Sequence, residues 1–429
     1  MDKFFTEYLL QSTGTGKIYN DTGWMLDEPG ENGSSLLRAI YKEKQLTLRD
    51  HTFGLFRFAG WLPLKGHLTG SSAPVTYKSE GLASFLGLKN LWITFSGYWP
   101  EKGANMTTCS FKETEAYSVC SRLNGYIDNT LVVASAGNTA RAFAKVCSAN
   151  KIPLVLCVPY DYIDALWFEH ELDSCVKLLC TAPGSDYFDA IALSNIIAKM
   201  PGFTAEGGAK NVARRDGMGT TVLSAVSEIG RIPDFYFQAV GSGTGAIAAW
   251  EANLRLLDDG RFGNTKMKLI VSQNAPFLPI YDAWKAGSRQ LLPMNDDEAR
   301  HQTHQIDAKV LSNRRPPYSI KGGLFDALTD TDGDVHAITN EELREAAHIF
   351  RENEGIDIYS AAAVATSSLM KSVASGLVSP DSVVMLNITG GGEKLFKSHH
   401  ESVYLKPSEV FGLNESEPVI EEKVRALFA

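Results

Sequence analysis

From about Leu131 the apolar and polar positions fall into a regular order. An apolar, β-branched run "LVVA" is followed by the small-residue turn "SAGN". The helically spaced "TARAFAKVCSAN" comes next, and then a second apolar run, "IPLVLCV". That order predicts strand, turn, helix and strand. The same grammar returns at "FYFQAV", "GSGTG", "AIAAWEANLRLL" and "KLIVSQ", from Phe235 onward. It appears once more where the helical "SAAAVATSSLMKSVASG" leads through "SPD" to "VVMLNI" and the turn "TGGGEK". Strands alternating with helices predict an α/β protein with doubly wound, mostly parallel sheets, whose ligands sit beyond the carboxyl ends of the strands. All three small-residue turns occupy that position. The first ~50 residues and the stretch 290–317 lack the pattern and are expected to be irregular surface or lid elements.

Composition narrows the picture. A chain of 429 residues exceeds what one core usually organises, so two or three packed units are expected. With 44% hydrophobic and 21% charged residues it reads as an ordinary globular protein. The net charge of -9 argues against a nucleic-acid surface but leaves room for a local cationic pocket that takes a small anion. The opening "MDKFFTEYLL" lacks the features of a secretory signal, and no apolar run approaches the roughly 20 residues that span a bilayer. A cytoplasmic protein without membrane contact is expected. The six cysteines form no C-x-x-C pair and are expected to be reduced. Cys109, three residues before Lys112, is the thiol nearest the candidate chemistry.

Each candidate motif has a plain reading beside a chemical one. Lys112, in "TTCSFKETEA", is either a solvated charge at the start of a helix or a nucleophile. The turn Gly241, Ser242, Gly243, Thr244, Gly245 opens a helix after a strand, which suits a phosphate. It also satisfies G-x-G-x-x-A, but the next strand ends "SQNA", without the acid a dinucleotide ribose wants. Ser135, Ala136, Gly137, Asn138 and Thr139 are good turn and cap residues, and equally a nest of donors for a carboxylate. Three glycines after Thr389 exceed what a reverse turn needs and suggest close backbone approach to a ligand. "KNVARR" is either a solvated charge run or a set of anion contacts from Lys210, Asn211, Arg214 and Arg215. His301 and His304 lack the accompanying ligands of a metal site, and none is expected. His399 and His400 are expected to be loop residues.

Taken in order, "SFK", "SAGNT", "GSGTG" and "ITGGG" resemble the fold-type II family of pyridoxal phosphate (PLP) enzymes, over about Phe56 to Lys394. The resemblance implies two doubly wound sheet domains with the cofactor in the cleft between them. The implied division is residues 1–114 plus 206–429 as a large cofactor-binding domain, with an irregular N-terminal segment. Residues 115–205 would form a small mobile substrate-binding domain. By family position Lys112 carries PLP and serves as base, Gly241 to Gly245 cradle its phosphate, Thr389 meets the ring nitrogen and Asn138 the phenolic oxygen. Ser135 to Thr139 would take the substrate carboxylate, and Asn211, Arg214 and Arg215 its leaving phosphate.

Threonine synthases of this family show N-P-T-G-S-F-K-D-R-G and N-P-Y-R-x-E-G. Ser110, Phe111, Lys112, Asn211, Arg214 and Gly217 match those patterns, whereas Cys109 and Thr114 depart from them, which argues against threonine synthesis itself. The nearer likeness is to a threonine synthase-like branch of methanogenic archaea that joins O-phosphoserine to sulfite. It releases phosphate and gives cysteate, a precursor of coenzyme M. A homo-oligomer is expected. The rival readings are threonine synthesis from O-phosphohomoserine and, on the turn at Gly241 alone, a dinucleotide-dependent oxidoreductase.

Overall fold

The computed structural model describes residues 5–30, 33–123, 129–135 and 137–428. Its larger sheet has six strands, in the order Asp334–Ile338, Lys268–Asn274, Phe235–Ala239, Val383–Ile388, Asn90–Phe95 and Val75–Lys78. All neighbours are parallel except the last pair, which is antiparallel. The period-2 alternation of strand side chains divides its core in two. Tyr236, Leu269 and Met385 pack with residues of the helices Val212–Ile229 and Thr244–Asp259. Phe237, Ile270 and Leu386 pack on the opposite face, with Ala362 and Leu369 of the helix Ser360–Ala374 and Phe350 of Asn340–Glu354.

The smaller sheet is wholly parallel, in the order Phe203–Ala205, Thr130–Ala134, Leu154–Pro159, Val176–Thr181 and Glu409–Phe411. Helices cover both faces, so its central strand reads as a continuous apolar run, and every residue from Leu154 to Pro159 is buried. The helix Asn138–Asn150 lies on one side, while Tyr187–Ile197 and Glu417–Ala426 lie on the other.

Three expectations need correction. The strand Glu409–Phe411 and the helix Glu417–Ala426 pack with the smaller sheet, although the sequence division places them with the larger unit. The N-terminal segment is not irregular: Tyr8–Ser12 pairs antiparallel with both Ile18–Tyr19 and Leu37–Tyr41. Within 290–317 the structure has a helix, Asp296–Gln305, whose cap Asn295 accepts from the amides of Asp297 and Glu298. No helix among the described residues is long and apolar enough to cross a membrane.

Candidate active site

The carboxyl ends of Thr130–Ala134, Phe235–Ala239 and Val383–Ile388 open on one cleft of about 340 Å³. Lys112 reaches it as the first residue of the helix Lys112–Leu123. The turn before that helix is fastened to the "TGGG" turn: Phe111 N donates to Thr389 O at 2.9 Å, Gly391 N donates to Cys109 O at 3.1 Å, and Ser110 bridges to Gly390. Two distant segments are thereby locked together, which sets Lys112 and Thr389 on the same wall. Cys109 turns the chain at this point with φ +52°, in the left-handed region where glycine is free and other residues are strained. Its side chain packs among Tyr98, Trp167 and Phe396, and burial pushes the thiol's pKa far up, so it stays protonated.

Lys112 Nζ lies 3.2 Å from Glu115 Oε2, and burial lowers the pKa of the amine against the opposing pull of that carboxylate. Glu115 also accepts from Thr139 Oγ1 at 3.1 Å.

Two helix N-termini converge on the cleft. The first is the turn Gly241 to Gly245, all five residues of which line it. Among the described residues the amides of Ser242, Gly243 and Gly245 have no hydrogen-bond acceptor, which leaves a row of donors at the head of the sixteen-residue helix Thr244–Asp259. That is the arrangement a phosphate takes. Gly243 holds φ +79°, and a Cβ there would sit 2.7 Å from Leu324 Cδ2. The dinucleotide alternative finds no support, because the next strand ends in Asn274, whose amide already donates to Ile338 O at 3.0 Å and Asn340 Oδ1 at 3.1 Å.

The second N-terminus carries Ser135, Gly137, Asn138 and Thr139, all on the cleft wall, whereas Ala136 lies outside the described residues. Ser135 Oγ accepts from Gly137 N at 3.1 Å. Asn138 Oδ1 accepts from Arg141 at 3.0 Å, so the amide presents its NH₂ as the remaining donor. Arg141 is itself buried and donates to Thr108 O, Ala165 O and the Tyr359 hydroxyl, with its guanidinium 4.1 Å over the Trp167 ring.

The cationic segment departs from its expected role. Arg215 is fully buried away from the cleft, paired with Glu251 at 3.0 Å and bonded to the carbonyls of Ala209 and Leu37. Asn211 is also fully buried; it caps the helix Val212–Ile229 and accepts from Arg122 at 2.9 Å. Neither lines the cleft: the Asn211 amide is taken up by the cap, Arg122 and the Glu206 carbonyl, and on the helix Val212–Ile229 the face that reaches the cleft carries Arg214 rather than Arg215. Arg214 is not a free cation. Its Nε and one terminal nitrogen each meet Glu206 at 2.7 Å, and the same nitrogen approaches Glu115 to 3.5 Å. Lys210 lines the cleft and pairs with Asp27 at 2.8 Å.

Sequence reasoning overlooked Tyr187, Gln238 and Tyr359 on the cleft wall and Glu115 and Glu206 beside it, whereas Val310 to Asn313, also on the wall, fall in the stretch expected to be surface or lid. Glu115 stood in plain view, one helical turn after the candidate lysine.

A family model for pyridoxal-phosphate dependent enzymes matches residues 98–390. The cysteate synthase of Methanosarcina mazei is 51% identical over 88% of this chain and 91% of its own. That of Methanoculleus marisnigri is 48% identical over 90% and 89%. Among solved structures, maize serine racemase has a TM-score of 0.55 at 13% identity, covering 76% of this chain and 91% of its own. A threonine deaminase isoform of Solanum lycopersicum has a TM-score of 0.56 at 17% identity, covering 76% and 86%.

Proposed function

The chain belongs to the pyridoxal-phosphate dependent enzyme family, with the fold-type II architecture, and from that premise we propose that it replaces the phosphate of O-phospho-L-serine by sulfite, giving L-cysteate and phosphate. The likeness to cysteate synthases over most of the chain supports the product. The observation that carries the site reading is a half-buried lysine set between two helix N-termini, one of which presents three amides without an acceptor among the described residues.

In this reading the amides of Ser242, Gly243 and Gly245 hold the cofactor phosphate, Lys112 binds its carbonyl carbon, Thr389 meets the ring nitrogen and Asn138 donates to the phenolic oxygen. When bound, PLP supplies the sink for the electron pair left on the substrate Cα. The chain's residues do the rest. Asn138 and Thr139 head a helix whose first amides suit the substrate carboxylate, with Ser135 beside them. Lys112 takes the Cα proton and later returns it. Arg214 keeps one terminal nitrogen without an acceptor among the described residues, which leaves it a donor for the leaving phosphate and then for sulfite.

The test is a competition. Purified enzyme receives phosphoserine or phosphohomoserine, each with and without sulfite, and phosphate release and amino-acid products are followed. Sulfite-dependent cysteate from phosphoserine is expected. Threonine from phosphohomoserine with no cysteate overturns the reading.

A further inference from the structure

We propose that Glu115 is the positioning residue for the Lys112 amine, holding it where it can exchange a proton with the substrate and stabilising its protonated form. The inference rests on the reading that Lys112 carries the cofactor, but not on which amino acid is the substrate.

Glu115 is fully buried, and three donors from three helices meet its carboxylate. Lys112 Nζ lies 3.2 Å from Oε2, while Thr139 Oγ1 at 3.1 Å and an Arg214 nitrogen at 3.5 Å share Oε1. Lys112 and Glu115 are three residues apart on one helix, so the backbone alone brings them together. Thr139 heads the helix whose amides line the cleft, and Arg214 is bound to Glu206 on its other side. The charged groups at this point therefore alternate, Lys112, Glu115, Arg214, Glu206, with Tyr187 as the remaining titratable neighbour. Two cations balance two carboxylates. An exposed pair of this spacing would be a minor helix contact, but a carboxylate fully out of water is costly to keep unless its charge has work to balance.

The geometry answers a problem that burial creates. Taking the Lys112 amine out of water disfavours its charged form, yet accepting the Cα proton produces that form. In the step itself the neutral amine forms a new N–H bond as the Cα–H bond breaks, and the electron pair stays with the substrate and cofactor. The resulting ammonium already faces Glu115. Returning the proton reverses each change, and Glu115 carries no proton in either direction.

Glu115→Gln keeps the shape and removes the charge. Titrating the visible absorbance of the holoenzyme reads the proton on the Lys112–cofactor linkage. The acetylation rate of Lys112 against pH, followed by mass spectrometry in the cofactor-free full chain, reads the amine alone. Losing a neighbouring opposite charge should lower both apparent pKa values by about one unit or more. In the same variant kcat should fall roughly 10- to 100-fold, less than the roughly 100- to 10,000-fold that positioned proton transfer supplies because Lys112 itself remains, with little change in KM.

Thr139→Val removes one bond to Glu115 without altering charge and should shift both titrations in the same direction by less. It carries the test if Glu115→Gln does not fold. A folded Glu115→Gln, or failing that Thr139→Val, with wild-type titrations overturns the proposal. Borohydride trapping and peptide mapping of the wild type keep the two failures apart. A pyridoxyl group on Lys112 confines a negative result to Glu115, whereas one on another lysine overturns the site reading beneath it.

Discussion

Replacing Arg214 by alanine removes a guanidinium that makes two 2.7 Å hydrogen bonds to Glu206 and lies 3.5 Å from Glu115. Glu206 has a side chain only 6% exposed, and burial already raises its pKa while Arg214 pulls it back. Without Arg214 the carboxylate keeps the Gly208 amide at 3.0 Å as its remaining donor among the described residues. Breaking a buried pair from one side costs roughly 3–5 kcal/mol, so the folding equilibrium should shift by a few hundred-fold or more. Urea denaturation of Arg214→Ala, Glu206→Gln and the double variant measures the coupling, and the double variant should recover much of the loss. The deficit should also depend on pH. With its folded pKa raised further, Glu206 favours folding below its unfolded value of about 4.3 and opposes it as pH rises through the folded value. The loss should therefore shrink as the medium is acidified toward that value. Phosphoserine and serine binding are measured on the same samples, and loss of phosphoserine binding beyond that of serine isolates the ligand contact. A deficit under about 1 kcal/mol, unchanged with pH and not relieved by Glu206→Gln, would refute the charge network as a source of stability.

Lys112→Ala should abolish the borohydride-reducible adduct that mass spectrometry finds in the wild type, together with turnover. Gly243→Val should weaken PLP retention about tenfold or more in equilibrium dialysis, because φ +79° and the 2.7 Å approach of Leu324 Cδ2 leave no relaxed place for a branched side chain. Gly260→Ala, at φ +75° with open space around it, is the control that shares the backbone strain and should leave retention alone. Burial raises the pKa of Asp21, but Arg122, at 2.9 and 3.0 Å, and Tyr8 lower it by more, so the folded value lies below the unfolded one. Its contribution is present above the unfolded value of about 3.9 and is lost as pH falls through the folded one. The urea midpoint of Asp21→Asn should be lower at pH 7 and should fall less steeply toward pH 3.

The alternating strands and helices after Leu131 were legible because their signals are local: a run of apolar residues, a turn, a period. That Lys112, Asn138 and the glycine turn at Gly241 would meet at one cleft was legible for the same reason, since turn chemistry is written in adjacent residues. The helix Asp296–Gln305 was hidden because only Ala299 and Thr303 on it are buried, which erases the apolar period. Its one local sign was Asn295 followed by three acids, a helix start in the absence of any hydrophobic stripe. The three-residue strand Glu409–Phe411 is too short to announce itself. Arg214 looked like a free cation because its partners, Glu206 beyond a turn and Glu115 on another helix, are known only from the fold. The error over Arg215 was avoidable: adjacent residues on a helix point about 100° apart, so both arginines could not serve one cleft.

The strand Val176–Thr181 finds one of its two neighbours, Glu409–Phe411, only after more than half the chain has been made in between. A chain synthesised from its N-terminus can assemble Thr130–Ala134, Leu154–Pro159 and Val176–Thr181 early, but the outer edge of Leu179 to Thr181 then stays bare on the ribosome. Exposed edges of this kind recruit strands from other chains. Cutting the gene after His400 would keep every residue assigned to the cleft, with the Gly390 and Gly391 contacts that fasten it, and still leave that edge open, so the product should be lost to aggregation rather than to a missing catalytic group. The C-terminal strand works as an intramolecular seal, and the yield of soluble protein in cells depends on how long the edge waits for it.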